Sequence, residues 1–472
     1  MEIFLIVLTL TLGFYMLWNM GANDVANAVG TSVGSGAITL KTAILIAAIL
    51  EFTGAFTLGS NVSETIQNGI INPLAFQDEP TLFIFGMLAA LLSTALWVQI
   101  ATFFRWPVST THAIVGAVLG FGLIVAPYSA IKWPVIGTIV ISWIISPSLS
   151  AFIAFIIFSF IQKKILFTYS PLLATKKIAP ILVFITLLIF IISTLANGIR
   201  RFEISLVLVI AVATIIGIIG GIICHFACKK IHLNTEINHH ITPRQQQQIH
   251  NLNKVQKYLM HVKLATSGEM KEEIANIINS VSTVINNARD KTKWDSHISA
   301  DFHGVEKIFG GMQIITACFV AFAHGANDVA NAVGPMSGIF HIIQNSKITS
   351  ASVDIPPWLL AFGGIGIVIG LATYGWRVIE TIGKKITQLT PTRGFSAEFA
   401  AATTILIASK MGLPISTTHA IVGAVLGVGI ARGISSINFK LVRDIFLSWI
   451  ITIPSALILS MIIFYIFKLI FM

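Results

Sequence analysis

The sequence predicts an all-α polytopic membrane protein of about 12 transmembrane helices, built as two inverted-topology repeats with interrupted helices or re-entrant segments. Three observations carry this reading. First, the 472 residues are 55% hydrophobic and only 11% charged, with a mean hydropathy of +0.85, whereas a soluble domain is roughly 25% charged. Second, the apolar residues fall in blocks that reach or approach the roughly 20 residues a helix needs to cross a bilayer core. Third, two long motifs recur in the same order at the two ends of the chain. A soluble enzyme is excluded by the first two observations alone.

The apolar blocks of the first repeat lie near 1–20, 40–59, 82–104, 109–126 and 134–161, and a spacer pair covers 180–196 and 204–228. The second repeat supplies 308–323, 357–376, 396–411, 414–431 and 445–471. The start of the chain has neither a basic n-region nor a small-residue cleavage site, so it is expected to stay as the first membrane helix. The organisation predicted is a first repeat over 1–161, a two-helix spacer over 162–228, a polar loop over 229–307 and a second repeat over 308–472. That polar loop has few aromatic residues and many charges, which makes it a solvated linker with some helical periodicity over 252–290.

The net charge of +10 sits mostly in short loops. Four Lys or Arg lie in 162–179, eleven in 229–307, four in 377–394 and three in 432–443, whereas 60–81 has none. By the positive-inside rule the cation-rich set is cytoplasmic and both termini are outside, which is the topology of a multi-pass cell-membrane (plasma or inner-membrane) protein. An odd number of crossings then precedes the central loop, so the second repeat enters the membrane in the opposite direction from the first. Inverted repeats with matching interrupted segments are a mark of secondary transporters, whose substrate site lies where the repeats meet. The short blocks after Pro107 and Pro414 are candidates for re-entrant halves rather than full crossings.

The first motif, Gly21-Ala-Asn-Asp-Val-Ala-Asn-Ala-Val-Gly30, returns letter for letter at Gly325 to Gly334. Asp24 and Asp328 are ionisable side chains in apolar sequence, costly there unless each faces an ion, a partner or water. Asn23 and Asn27, like Asn327 and Asn331, are four apart and share a helix face with the carboxylate. The small residues between them permit close helix contact, and helix packing with Asn as hydrogen-bond glue is the competing reading. Oxygen ligands of this kind suit a hard cation. Sodium fits best and a proton second, and nothing offers the thiolates or clustered imidazoles of a transition-metal site. Cys224, Cys228 and Cys318 form no disulfide framework. Glu51 and Glu398, also inside apolar blocks, join the cation-site candidates by the same cost argument. Glu64 and Glu380 lie near block ends as interfacial charges, and Arg105 reads as a cytoplasmic-face anchor.

The second motif runs Ser109-Thr-Thr-His-Ala-Ile-Val-Gly-Ala-Val-Leu-Gly120 and recurs from Ser416 to Gly427, each copy preceded by a proline at Pro107 or Pro414. It has the form of a helix start. The free N–H groups and the positive dipole end of such a start make an anion site. Ser109, Thr110 and Thr111 would face Ser416, Thr417 and Thr418 around a tetrahedral oxyanion, with plain capping as the alternative. No Lys or Arg occurs in either motif, so co-bound cations would balance the charge of a phosphate-like group of about −1.5 to −2. His112 and His419, the next residues, serve either substrate or a local hydrogen bond. A weaker echo links Ser142-Trp143-Ile144-Ile145 to Ser448-Trp449-Ile450-Ile451.

These paired motifs resemble the signature of the inorganic phosphate transporter (PiT) family, and the likeness covers both halves of the membrane region. The resemblance implies import of inorganic phosphate coupled to sodium, or to protons in some bacterial members, with metal-phosphate complexes as cargo in some. It implies that Asn23, Asp24, Asn327 and Asp328 belong to cation sites and the hydroxyl clusters to phosphate. His324, Glu51 and Glu398 match polar positions of the family, and a homodimer is implied too. One departure is Met87, where some members carry Glu, so the two halves are expected to contribute unequal numbers of acidic ligands. A sulfate transporter, or a receptor or channel that binds an anion, is the competing function. No enzyme motif, resident cofactor or nucleic-acid partner is expected.

Overall fold

A computed structural model describes residues 2–104, 106–202, 205–231, 243–266, 269–345, 348, 354–375, 389–433 and 437–472. Arg105 and Glu380 lie outside them. The architecture is all helical, with no strand among the described residues. In the first half run α1 (Glu2–Gly34), α2 (Leu40–Leu58), the short α3 (Ser60–Asn68), α4 (Pro80–Phe103), α5 (Thr110–Val125) and α6 (Trp133–Ile161). Next come α7 (Pro171–Phe202), α8 (Leu206–Lys229), α9 (Pro243–Ala265) and the 60-residue α10 (Glu269–Asp328). The chain ends with α11 (Ala330–Asn345), α12 (Pro357–Tyr374), α13 (Pro391–Lys410), α14 (Thr417–Arg432) and α15 (Phe439–Phe471).

Among the described residues, nine helical stretches are long and apolar enough to cross a membrane, and α5 and α14 are shorter apolar helices of 16 residues each. At 1.5 Å per residue these two reach about 24 Å, short of the roughly 30 Å hydrocarbon core. They begin from buried breaks. Ser109 and Ser416, with extended backbone (φ −92°, ψ 114° and φ −85°, ψ 112°), cap them by accepting from the His112 and His419 amides. The prolines at 107 and 414 keep the preceding chain extended, as the residue before a proline is driven out of the helical region. The helical repeat is also interrupted at the second aspartate motif: α10 stops at Asp328 and α11 starts at Ala330. In the first motif α1 runs on without a break to Gly34.

The halves are interleaved. The most extensive contacts of α14 are with α6, those of α15 are with α5, and α1 packs on α12 as α10 packs on α2. Small residues permit this. A Cβ at Gly21 would stand 2.1 Å from the Ile367 carbonyl oxygen, and one at Gly325 would stand 2.1 Å from that of Glu51. Gly54 and Gly370 form a second matched pair, 2.0 Å from the Phe322 oxygen and 2.1 Å from the Trp18 oxygen by the same construction. Backbone approach this close needs glycine.

The polar linker differs from a bare spacer. Its charged composition hides a helical hairpin in which Gln256 of α9 donates to Ser282 of α10 at 2.9 Å, with Ile274, Ile278 and Ile285 buried. The boundary drawn at 307/308 therefore falls inside one continuous helix that runs from the linker to the aspartate motif.

Candidate functional site

The two motif stretches of α1 and α10–α11 are buried along their whole length, from Gly21 to Gly30 and from Gly325 to Gly334. Their aspartates meet in the centre. Oxygens of Asp24 and Asp328 and a ring nitrogen of His324 all lie within 4.8 Å of one another, the one group of three potential metal ligands found among the described residues. Two buried carboxylates at such a distance repel unless a cation or a proton lies between them. His324 adds to the group: its Nε2 is 2.9 Å from Asp328 Oδ2 and its Nδ1 is 3.3 Å from Glu51 Oε1. The Asp328 contact follows from helical spacing, four residues apart on α10. The Glu51 contact comes from α2, held against α10 at Gly325.

The first copy of this arrangement is chemically poorer. Since Gly21 meets Ile367 as Gly325 meets Glu51, Ile367 occupies the place of Glu51, and Met20, preceding Gly21, occupies that of His324. Only Asp24 remains acidic there. The arrangement around the second motif is thus the charged one, with Glu51 supplied by the first half and His324 and Asp328 by the second, and a further inequality shows in Glu398. This carboxylate, on α13, accepts from Thr31 (2.6 Å), Ser32 (2.6 Å) and Gln313 (2.9 Å) on Oε1 and from Thr316 (2.7 Å) on Oε2. The corresponding first-half helix, α4, contains no acidic residue, and Met87 is buried in it. Glu398 does not share the Asp24–Asp328 cluster; it forms a separate polar nest walled by α1, α10 and α13.

The hydroxyl clusters reach the aspartates directly. Thr110 donates to Asp24 at 3.0 Å and Thr417 donates to Asp328 at 2.8 Å. The asparagines then tie each motif to the other half: Asn27 donates to Thr418 at 2.8 Å and to Asp24 at 3.1 Å, while Asn331 donates to Thr110 and Thr111 at 3.3 Å. Thr111 and Thr418 donate to the Ile415 and Val108 carbonyls at 3.0 and 3.1 Å, each across the repeat boundary. Asn23 points elsewhere, to Thr102 on α4 at 2.8 Å, and the Asn327 amide lies 3.0 Å from Ser409 on α13. The side-chain oxygens of Asn23, Asn27 and Asn331 are buried and accept no hydrogen bond from the protein. Buried acceptors are normally satisfied, so these three oxygens, beside two carboxylates, are suited to a hard cation.

All fourteen candidate side chains are thus buried, and nine of them lie in the contact networks around the two aspartates: Asp24, Asp328, Glu51, Asn27, Asn331, Thr110, Thr111, Thr417 and Thr418. The reading of single residues left out Thr31, Ser32, Gln313 and Thr316. A signal existed: Thr31 and Ser32 directly follow the first motif, and Gln313 and Thr316 are polar positions three apart in an otherwise apolar block.

A helical membrane protein in which two buried carboxylates and two Ser-Thr-Thr turns meet between its halves has the build of a transporter. The chain belongs to the phosphate transporter family, whose model matches residues 20–460. It is 42% identical over 470 residues to a chain named as a phosphate permease from Chlamydia pneumoniae, covering 99% of both. It is 41% identical to the inorganic phosphate transporter 2-1, chloroplastic, of Arabidopsis thaliana, over 97% of this chain and 71% of that one. A solved structure described as the sodium-dependent phosphate transporter superposes with a TM-score of 0.80 at 33% identity, covering 99% of each chain. The family is one of transporters and not a class of enzymes.

Proposed function

We propose that this protein is a sodium-coupled importer of inorganic phosphate in the cell membrane. The observation that carries the reading is the direct hydrogen bonding of Thr110 to Asp24 and Thr417 to Asp328, which makes one hydroxyl a shared member of an anion site and a cation site. Ser109, Thr110, Thr111, Ser416, Thr417 and Thr418 hold phosphate between the starts of α5 and α14. Asp24, Asp328, Asn23, Asn27, Asn327, Asn331 and Glu51 serve sodium around the central cluster, and Glu398 with its hydroxyl and amide partners serves a separate cation position.

Coupling follows from competition for oxygen lone pairs. A sodium ion on Asp24 or Asp328 takes the carboxylate oxygen that the threonine hydroxyl donates to, and the released O–H turns to a phosphate oxygen. The same cation offsets the charge of a phosphate that has no fixed Lys or Arg partner in either motif. Binding of one ion therefore raises affinity for the other, which is reciprocal by linkage. Alternating access is the exchange of the two inverted repeats around this fixed centre. We place the central loop in the cytoplasm and both termini outside, keep the division into repeats over 1–161 and 308–472 about the 162–228 spacer and the 229–307 loop, and take the working unit to be a homodimer.

Radiolabelled phosphate uptake into proteoliposomes tests this reading. Accumulation above the outside concentration is expected with an inward sodium gradient and not with an equal potassium gradient. Accumulation driven by a proton gradient alone would replace sodium by a proton at the same carboxylates, a second reading favoured by the placement of His324 between Glu51 and Asp328. Competition by unlabelled sulfate as strong as that by unlabelled phosphate would recast the substrate.

A further inference from the structure

The sequence echo of Trp143 in Trp449, and the histidine that ends each hydroxyl motif, have no part in the binding scheme above. The fold brings all four together. His112 of α5 lies against Trp143 of α6 with ring centroids 3.8 Å apart, and His419 of α14 lies against Trp449 of α15 at 3.6 Å. The two histidines meet edge to face at 4.4 Å. Each of the four is at most 6% exposed. The layer joins the halves as well as stacking within them. His419 Nδ1 is 3.3 Å from the Trp143 carbonyl oxygen, and Trp143 Nε1 donates to the Pro414 carbonyl at 3.3 Å. A carbonyl only accepts, so Nδ1 of His419 carries the hydrogen. Pro414 begins the extended turn that ends at Ser416, and Ser109 and Ser416 cap their helices on the amides of His112 and His419.

We propose that His112, His419, Trp143 and Trp449 are positioning residues for the substrate: they fix the two Ser-Thr-Thr turns in register with each other, so that six hydroxyls from separate halves converge on one oxyanion. This rests on the reading of the hydroxyl clusters as the phosphate site. The two turns belong to different repeats, with Ser109 and Ser416 307 residues apart in the chain, so only tertiary contacts fix one turn against the other. The layer lies one residue beyond Thr111 and Thr418, where it constrains both helix starts. Ring stacking sets the tilt of each start, and the two hydrogen bonds through Trp143 set the distance of the second turn from the first half.

Uptake kinetics on the full-length protein in proteoliposomes test this, with phosphate KM and maximal rate per folded molecule measured separately. His419→Ala is expected to raise KM for phosphate by about tenfold with a maximal rate within about twofold of the parent, the pattern of lost binding geometry. His419→Asn, which keeps a donor close to the Nδ1 position, is expected to recover a large part of that loss. Trp143→Phe keeps the ring and removes the donor to Pro414, so KM rises by about threefold, and its effect is less than additive with His419→Ala because the two share one path. Ser416→Ala is the reference for the site itself. KM unchanged in the histidine and tryptophan variants while Ser416→Ala raises it overturns the positioning role, and so does a loss of maximal rate at constant KM, the mark of packing alone. KM unchanged in Ser416→Ala as well overturns the phosphate-site reading beneath it.

Discussion

At the scale of the residue, a buried carboxylate has to be matched by charge or donors, and the four buried acids meet that need in different ways. Glu398 is surrounded by four donors, Glu51 and Asp328 flank His324, and Asp24 has Thr110 and Asn27. Asp328→Asn keeps the size and one acceptor and removes the charge. Sodium-driven phosphate uptake is then expected to fall by a hundredfold or more, on the order of 3 kcal/mol of lost cation binding, with thermal stability in detergent unchanged or raised. Uptake at the parent rate would remove Asp328 from the cycle. Glu51→Gln breaks the same network from its other end, so it should also lower coupled uptake by about a hundredfold, and the double variant should be no worse than either single one; independent, multiplying losses measured in the same assay would separate Glu51 from Asp328. Both aspartates were legible from the sequence because an acid in apolar surroundings stands out. Their meeting was not, because α1 and α10 come together only through the tertiary fold, and neither was the central place of His324, a single histidine whose partners lie on α2 and one turn further along its own helix.

At the scale of the element, the decisive features are close approach and interruption. Gly54 of α2 touches the Phe322 carbonyl of α10, two residues before His324, so this contact sets the distance between Glu51 and His324. Gly54→Val inserts a branched side chain where a single Cβ already stands 2.0 Å from that oxygen, and overpacking of this kind costs about 1–3 kcal/mol. A lower unfolding temperature in detergent is expected, together with a loss of uptake larger than the loss of folded protein, because the helices separate at the charged cluster; a variant of parent stability and activity would show that α2 and α10 need not approach so closely. Interruptions were largely readable. The Pro-x-Ser-Thr-Thr sequences announced the starts of α5 and α14, which begin at Thr110 and Thr417, one and three residues after the apolar blocks drawn from 109 and 414. The break at Val329 was not readable, because the identical ten residues run unbroken through α1. The two copies differ in what surrounds them: α11 carries Pro335 just after its motif, where α1 has Thr31.

At the scale of the whole molecule, interleaving explains both what the sequence disclosed and what it withheld. Repetition disclosed the two halves, since identical motifs in the same order need a common architecture. It withheld the pairing of α5 with α15 and α14 with α6, because a hydrophobic stripe does not name its partner. It also withheld the continuity of α10, which carries a charged segment from the central linker directly to Asp328; charge argued for a loop, and the Ile274, Ile278 and Ile285 stripe for a helix. Orientation is the remaining global property, and we propose from the excess of loop cations in 162–179 and 229–307 that the linker lies on the cytoplasmic side. With Cys224, Cys228 and Cys318 replaced by Ala, single cysteines in place of Lys254 and of Tyr128 report on opposite sides. Both side chains are exposed or lie at a helix end on the surface, so each is open to reagent. A membrane-impermeant maleimide added to intact cells should label the Tyr128→Cys variant and leave the Lys254→Cys variant unlabelled until the membrane is opened. The reverse pattern would invert the whole molecule. It would turn the long α10 helix toward the outside, while the direction of net transport would still follow the inward sodium gradient, because coupling is reciprocal and the gradient, not the orientation, sets the sign.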